Sequence, residues 1–120
     1  YILRLLKKNT ILGKCHVFLT PENNCIISNF IIYKKFRGCG YANILLESAV
    51  EDTPISMLWV KPDNKIAQNL YEKHGFTKVG SDHRGNIMVR RKVKNFSWIQ
   101  LLSCIPKKRR KIKIEINING

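Results

Sequence analysis

Residues 34–49 read "KKFRGCGYANILLESA": two lysines and an arginine, then two glycines, then an apolar stripe at helical spacing. Chemically this is an anion site. The first backbone N–H groups of a helix have no intrahelical partners, and its N-terminus carries about half a positive charge. Gly38 and Gly40 lack Cβ atoms, so a bulky phosphate can approach the amides of residues 38–42 and the chain can take positive φ. Lys34, Lys35 and Arg37 add cations just outside. The nearby acids Glu47, Glu51 and Asp52 fall in the middle and at the end of the helix, which leaves its first turn uncontested. Taken alone, Gly-Cys-Gly serves equally well as a plain bend. No Gly-Lys-Ser/Thr follows it, and Asn43 and Lys61 fit neither position of a dinucleotide-binding pattern.

A second pair with chemical potential is Asn64 and Tyr71, seven residues apart. Two helical turns put both on one face. Asn64, or its neighbour Asp63, also suits an N-cap, and Tyr71 suits an aromatic core position. Among other reactive groups, Cys39 lies at a helix N-terminus, where a thiol becomes more acidic, but no histidine accompanies it in sequence. The cysteines Cys15, Cys25, Cys39 and Cys104 form no C-x-x-C pair and have no histidine at zinc-finger spacing, so no metal site is expected. Cys15 and Cys25 read as small apolar groups inside strands.

These residues need a scaffold. "YILRLLKK", "ILGKCHVFLT" and "CIISNFIIYK" are β-branched, apolar runs separated by turn-forming segments, which predicts an antiparallel meander. Ala42, Leu45, Leu46, Ala49 and Val50 then form a helical stripe, with Asn43, Glu47 and Glu51 on the outer face. "ISMLWV" reads as a buried strand. Ile66, Ala67, Leu70 and Tyr71 stripe a second helix that stops near Gly75. "FTKVG" and "NIMVRRKV" read as strands joined by the polar turn "SDHRG". The order β-β-β-α-β-α-β-β is a mixed α/β fold, a mostly antiparallel sheet flanked by helices. Beyond residue 93, "FSWIQLLSCI" suits a short helix, and the alternation of Ile112, Ile114, Ile116 and Ile118 suits a half-buried strand.

The 120 residues and 44% hydrophobic content suit one core. The net charge is +14, from 22 basic and 8 acidic residues. Six of the basic residues crowd between Lys107 and Lys113, and the rest of the chain is still basic without them. Such a field concentrates polyanions without distinguishing nucleic acid, acidic protein or a phosphorylated cosubstrate. The 106–113 cluster reads as a nuclear-import or nucleic-acid patch, or as a solvated lysine-rich tail. No apolar run has transmembrane length and no secretory leader opens the chain. The expectation is an intracellular, cytoplasmic protein without a membrane partner. Beginning at Tyr1, the chain is expected to be processed or a fragment.

Read together, the two glycine-flanked helices become specific. "RGCGYA" fits Arg/Gln-x-x-Gly-x-Gly/Ala, and "NKIAQNLYEKHGF" begins 22 residues after it. The pair resembles the two signature motifs of the GNAT superfamily of N-acetyltransferases, over residues 1 to about 93, with residues 94–120 as a basic extension. The resemblance implies a GNAT-like acyl-CoA acyltransferase fold, N-terminally truncated by a strand and two helices that shape the acceptor groove. It implies that acetyl-CoA is the cosubstrate, with its pyrophosphate on Arg37, Gly38, Cys39, Gly40, Tyr41 and Ala42. It further implies that Phe30, Ile31 and Ile32 offer main-chain hydrogen bonds to the pantetheine arm, and that a backbone N–H here, assigned to Ile32, faces the thioester oxygen. Asn64 would bond the arm, and Tyr71 would protonate the departing thiolate. A primary amine, on a protein or a small molecule, would attack directly.

The sequence departs from that family where a general base is expected. The two positions where many members carry a glutamate read Trp59 and Ile26. His16 and Asp63 are the substitutes at hand, each with an ordinary structural reading. A water relay or weak catalysis are the alternatives. The rival class is a nucleic-acid or acidic-protein binding module, which predicts steeply salt-dependent binding indifferent to Tyr71→Phe.

Overall fold

In the computed structural model, residues 1–92 and 114–118 are described. The strands are β1 (Ile2–Lys7), β2 (Thr10–Leu19), β3 (Cys25–Ile32), β4 (Ile55–Val60), β5 (Thr77–Asp82), β6 (Gly85–Arg91) and β7 (Glu115–Ile118); the helices are α1 (Tyr41–Val50) and α2 (Lys65–Lys73). The segment "FSWIQLLSCI" and the 106–113 basic cluster lie outside the described residues. The described strands form one seven-stranded sheet in the order β5-β6-β4-β3-β2-β1-β7. The expected meander is β1-β2-β3. Its first hairpin closes with two residues, Lys8 and Asn9, both at positive φ, as a turn matched to strand twist requires.

Alternation along the strands decides the faces. Leu3 and Leu5 of β1, Cys15 and Val17 of β2, Cys25 and Ile27 of β3, and Leu58 of β4 are buried. Against them pack Leu45, Leu46, Ala49 and Val50 of α1, with Tyr71 of α2 and Phe76 just beyond it. Each fully buried leucine here stabilises the fold by about 1.5–3 kcal/mol. In α2, Ala67 and Leu70 pack on this core, but Ile66 is 86% exposed. The expected stripe is therefore narrower: Ile66 lies about 100° around the helix from Ala67 and points to solvent. Ile116 and Ile118 also pack on the core, and β7 pairs in parallel with β1 from Arg4↔Glu115 to Lys7↔Ile118. Of the isoleucine alternation in the tail, Ile116 and Ile118 thus form an edge strand, Ile114 precedes it and is exposed, and Ile112 lies outside the described residues.

Two irregularities matter for function. β3 and β4 run parallel but pair only at Cys25↔Ser56, Ile26↔Met57 and Ile27↔Leu58. Beyond that point β3 carries an extra residue: the register with β2 moves from His16↔Ser28 to Lys14↔Ile31, and Asn29 takes φ 50. This bulge bends β3 just where its pairing with β4 ends. The sheet opens there into a seam.

Candidate active site

The end of β3 leads through a 3-10 turn, Lys34–Phe36, into the glycine turn and α1. Gly38 and Gly40 take φ 83 and 82, a region that side chains avoid. A Cβ on Gly38 would meet nothing within 4 Å, so backbone geometry requires this glycine and the space before it is open. Gly40 is the N-cap of α1, with no side-chain cap and no acid in the first turn. The amides of Tyr41 and Ala42 therefore begin the helix without a side-chain acceptor. Lys34 and Lys35, in the 3-10 turn ahead of the glycines, are exposed. Arg37 does not simply extend into solvent: its Nε donates to the Ile32 carbonyl at 2.8 Å and ties the turn to the end of β3.

That carbonyl reports how Ile32 is oriented. Tyr33 N–H donates to the Leu12 carbonyl at 2.9 Å. By the alternation of an antiparallel pair, the amide and carbonyl of Ile32 then point away from β2, into the seam that β4 has left. Gly13 of β2 lies opposite Ile32, and a Cβ there would sit 2.5 Å from the Ile31 carbonyl oxygen. Close approach of β2 thus supports the exposed stretch of β3.

Tyr71 packs its ring edge-on to Phe30 of β3, with centroids 6.1 Å apart, and against Phe76 at 5.9 Å. The fold therefore joins the phenol to the strand that enters the seam. Tyr71 is only 6% exposed, and burial pushes its hydroxyl up to about 12. Asn64 is the N-cap of α2, its Oδ1 accepting from Ala67 N–H at 3.1 Å. This engages the oxygen and leaves the Nδ2 group as the donor for a ligand. Phe30, Ile31 and Ile32, residues 37–42, and Tyr71 are thus joined around the seam and the turn. Asn64 stands two helical turns before Tyr71, and Asp63 is exposed beside it.

The strand positions lacking a glutamate reveal a cluster that sequence reasoning passed over. Trp59 Nε1 donates to Asp82 Oδ2 at 3.2 Å, and the Arg84 guanidinium lies 4.1 Å from the Trp59 ring centre. Arg84 also grips Asp82 through Nη2 at 2.7 Å and Nε at 3.1 Å. These hydrogen bonds from Arg84 hold the Asp82 carboxyl down at about 2. So poised, Asp82 is a poor general base at neutral pH. The polar turn "SDHRG" is tighter than expected: β5 and β6 run on to Asp82↔Gly85, leaving only two residues between. Asp82 and Arg84, two residues apart across it, were the available signal. On β2, His16 Nδ1 lies 3.3 Å from Asn29 Nδ2.

Comparison with known proteins agrees with this geometry. Residues 1–76 match the model of the Acetyltransferase (GNAT) family, and the chain belongs to that family. Among solved structures, a protein of Pyrococcus horikoshii aligns with TM-score 0.63 at 29% identity, covering 72% of this chain and 62% of that one. The PaiA N-acetyltransferase of Thermoplasma acidophilum, solved with coenzyme A, aligns with TM-score 0.63 at 17% identity, covering 70% and 55%. The ribosomal-protein-S18-alanine N-acetyltransferase of Escherichia coli gives 0.65 at 16%, covering 77% and 68%. This chain accordingly spans less than two thirds of the length of the first two, and the latter two likenesses are likenesses of fold.

Proposed function

We propose that this chain binds acetyl-CoA across the glycine turn and the β3–β4 seam and passes the acetyl group directly to a primary amine. The observation that carries this reading is the juxtaposition of an uncapped α1 N-terminus, a β3 end freed from β4, and Tyr71 packed on that same β3. Acetyl-CoA supplies the acyl group as a thioester. The backbone amides at Gly38–Ala42, with Arg37, hold its pyrophosphate. Phe30 and Ile32 hydrogen-bond the pantetheine arm, with Asn64 assisting through Nδ2; Ile31, which alternates with Ile32, turns its main-chain groups to Lys14 of β2 and takes no part. The Ile32 N–H faces the thioester oxygen, where a fixed donor stabilises the charge that develops on attack. PaiA was solved with coenzyme A, which favours an acyl-CoA ligand for this fold.

Tyr71 takes the part of hydrogen-bond donor to the leaving sulfur. A phenol at about 12 handing its proton outright to a thiolate whose acid sits near ~8.5 goes uphill by roughly 5 kcal/mol. Tyr71 therefore stabilises the nascent thiolate by donation, and bulk water completes the protonation. The acceptor amine arrives neutral or loses its proton through water, since Trp59 and Ile26 offer no carboxylate and Asp82 is pinned by Arg84.

That last observation also favours a second reading, an acyl-CoA-binding module of weak catalytic power. Calorimetry with coenzyme A, followed by an acceptor screen with acetyl-CoA, separates the two. Coenzyme A binding with acetyl transfer supports the enzyme, and binding without transfer supports the module. Absence of binding at low ionic strength removes both and leaves the basic nucleic-acid or acidic-protein binding module.

A further inference from the structure

His74 follows Tyr71 by three residues and belongs to no part of the site described so far. Its side chain is only 12% exposed although it closes the end of a surface helix. Both ring nitrogens are engaged by α1: Nε2 lies 2.7 Å from Asn43 Oδ1, and Nδ1 hydrogen-bonds Glu47 Oε1. Asn43 and Glu47 are four residues apart, successive rungs of one helix face. Two contacts on opposite sides of a flat ring fix both its position and its rotation.

The hydrogen bonds continue past the ring in both directions. Asn43 Nδ2 reaches back to the Gly40 carbonyl at 3.4 Å, at the glycine turn itself. His74 N–H donates to the Tyr71 carbonyl at 3.1 Å, and Arg90 Nε of β6 holds the His74 carbonyl at 3.0 Å. One connected path therefore runs Gly40, Asn43, His74, Tyr71, from the anion-binding turn to the proposed thiolate donor.

We propose that His74 is a positioning residue: its imidazole locks α1 to α2 so that the glycine turn and Tyr71 keep the spacing demanded by the two ends of one coenzyme molecule. This rests on the acyl-CoA reading above. A ligand that binds at both ends gains from having its two subsites in register before it arrives. A ligand that occupies only the turn gains nothing from it.

The test compares coenzyme A with ADP, which carries the pyrophosphate but no pantetheine arm. For His74→Ala, affinity for coenzyme A should fall about tenfold while affinity for ADP stays within about twofold, both read by calorimetry. Asn43→Ala should give the same asymmetry, and the double variant should lose little more than either alone. His74→Gln, which keeps one donor, should fall between. If His74→Ala does not fold, Asn43→Ala and His74→Gln carry the same comparison. Equal losses for both ligands, or a lowered melting temperature with both affinities unchanged, overturn the proposal. Wild-type protein that binds ADP but not coenzyme A, or neither, removes the acyl-CoA reading itself, a result distinct from equal losses in the variants.

Discussion

Burial governs what the key side chains can do. The Tyr71 hydroxyl and the Cys15 thiol are both pushed up to about 12, in each case first by desolvation. A buried tyrosine that never ionises at neutral pH is a dependable donor, so Tyr71→Phe should keep coenzyme A affinity within about twofold while slowing acetyl transfer by about 100-fold, read in a steady-state assay. The same shifts make a stability prediction whose sign follows from proton binding. Below about pH 9 both groups are protonated folded and unfolded, and their contribution is fully present. Between about pH 9 and 12 the unfolded chain loses these protons first, so stability should fall as pH rises, by on the order of 5 kcal/mol over that range. Urea unfolding at a series of alkaline pH values measures this, and Cys15→Ala with Tyr71→Phe should flatten the curve.

Among the elements, β3 and the turn after it form most of the proposed site, and two glycines, Gly13 of β2 opposite β3 and Gly38 in the turn, fail in different ways. Gly13→Ala forces a Cβ to within 2.5 Å of the Ile31 carbonyl oxygen and 2.6 Å of Ile32 Cδ1. It should destabilise by about 1–3 kcal/mol and, by shifting Ile32, weaken coenzyme A binding. Gly38→Ala meets no atom and suffers only from its φ of 83, costing about 1 kcal/mol; it should weaken coenzyme A and ADP alike, because it deforms the turn both ligands use. Denaturant melts paired with calorimetry on both variants check this. The turn was legible in sequence because its signals are local: two glycines, three cations and an apolar stripe within 16 residues. Asn64 as N-cap was legible for the same reason. The bulge at Asn29 was not, since it exists only relative to His16 and Lys14 on another strand. Asn43 and Glu47 read as a solvent face because the residue that covers them, His74, comes from a different helix 31 and 27 positions away. The Asp82–Arg84 pair was open to sequence, two residues apart across one turn, but the Trp59 contact, which arrives from β4, was not.

For the molecule as a whole, the described sheet takes a strand, β7, from residues 115–118. Among the described residues β7 is what covers the outer edge of β1, and an open edge is a template for pairing with another chain. Four residues from the far end of the chain lie along it in parallel, held by Ile116 and Ile118 on the core and by an ion pair of Arg4 with Glu115 at 3.2 Å. That ion pair is exposed and adds little; the isoleucines and the ladder hydrogen bonds carry the attachment. Replacing both with aspartate, Ile116→Asp with Ile118→Asp, should cost about 2–4 kcal/mol and free the β1 edge. The expected outcome is a lower melting temperature together with concentration-dependent self-association in sedimentation, while Arg4→Ala changes neither by much. The seam of the proposed site lies on the far side of β2 from this edge, so the aspartate variant should still bind coenzyme A at temperatures where it is folded. Loss of that binding in folded material would mean that β7 supports the meander through to β3, and that sheet completion and cosubstrate binding form one cooperative unit.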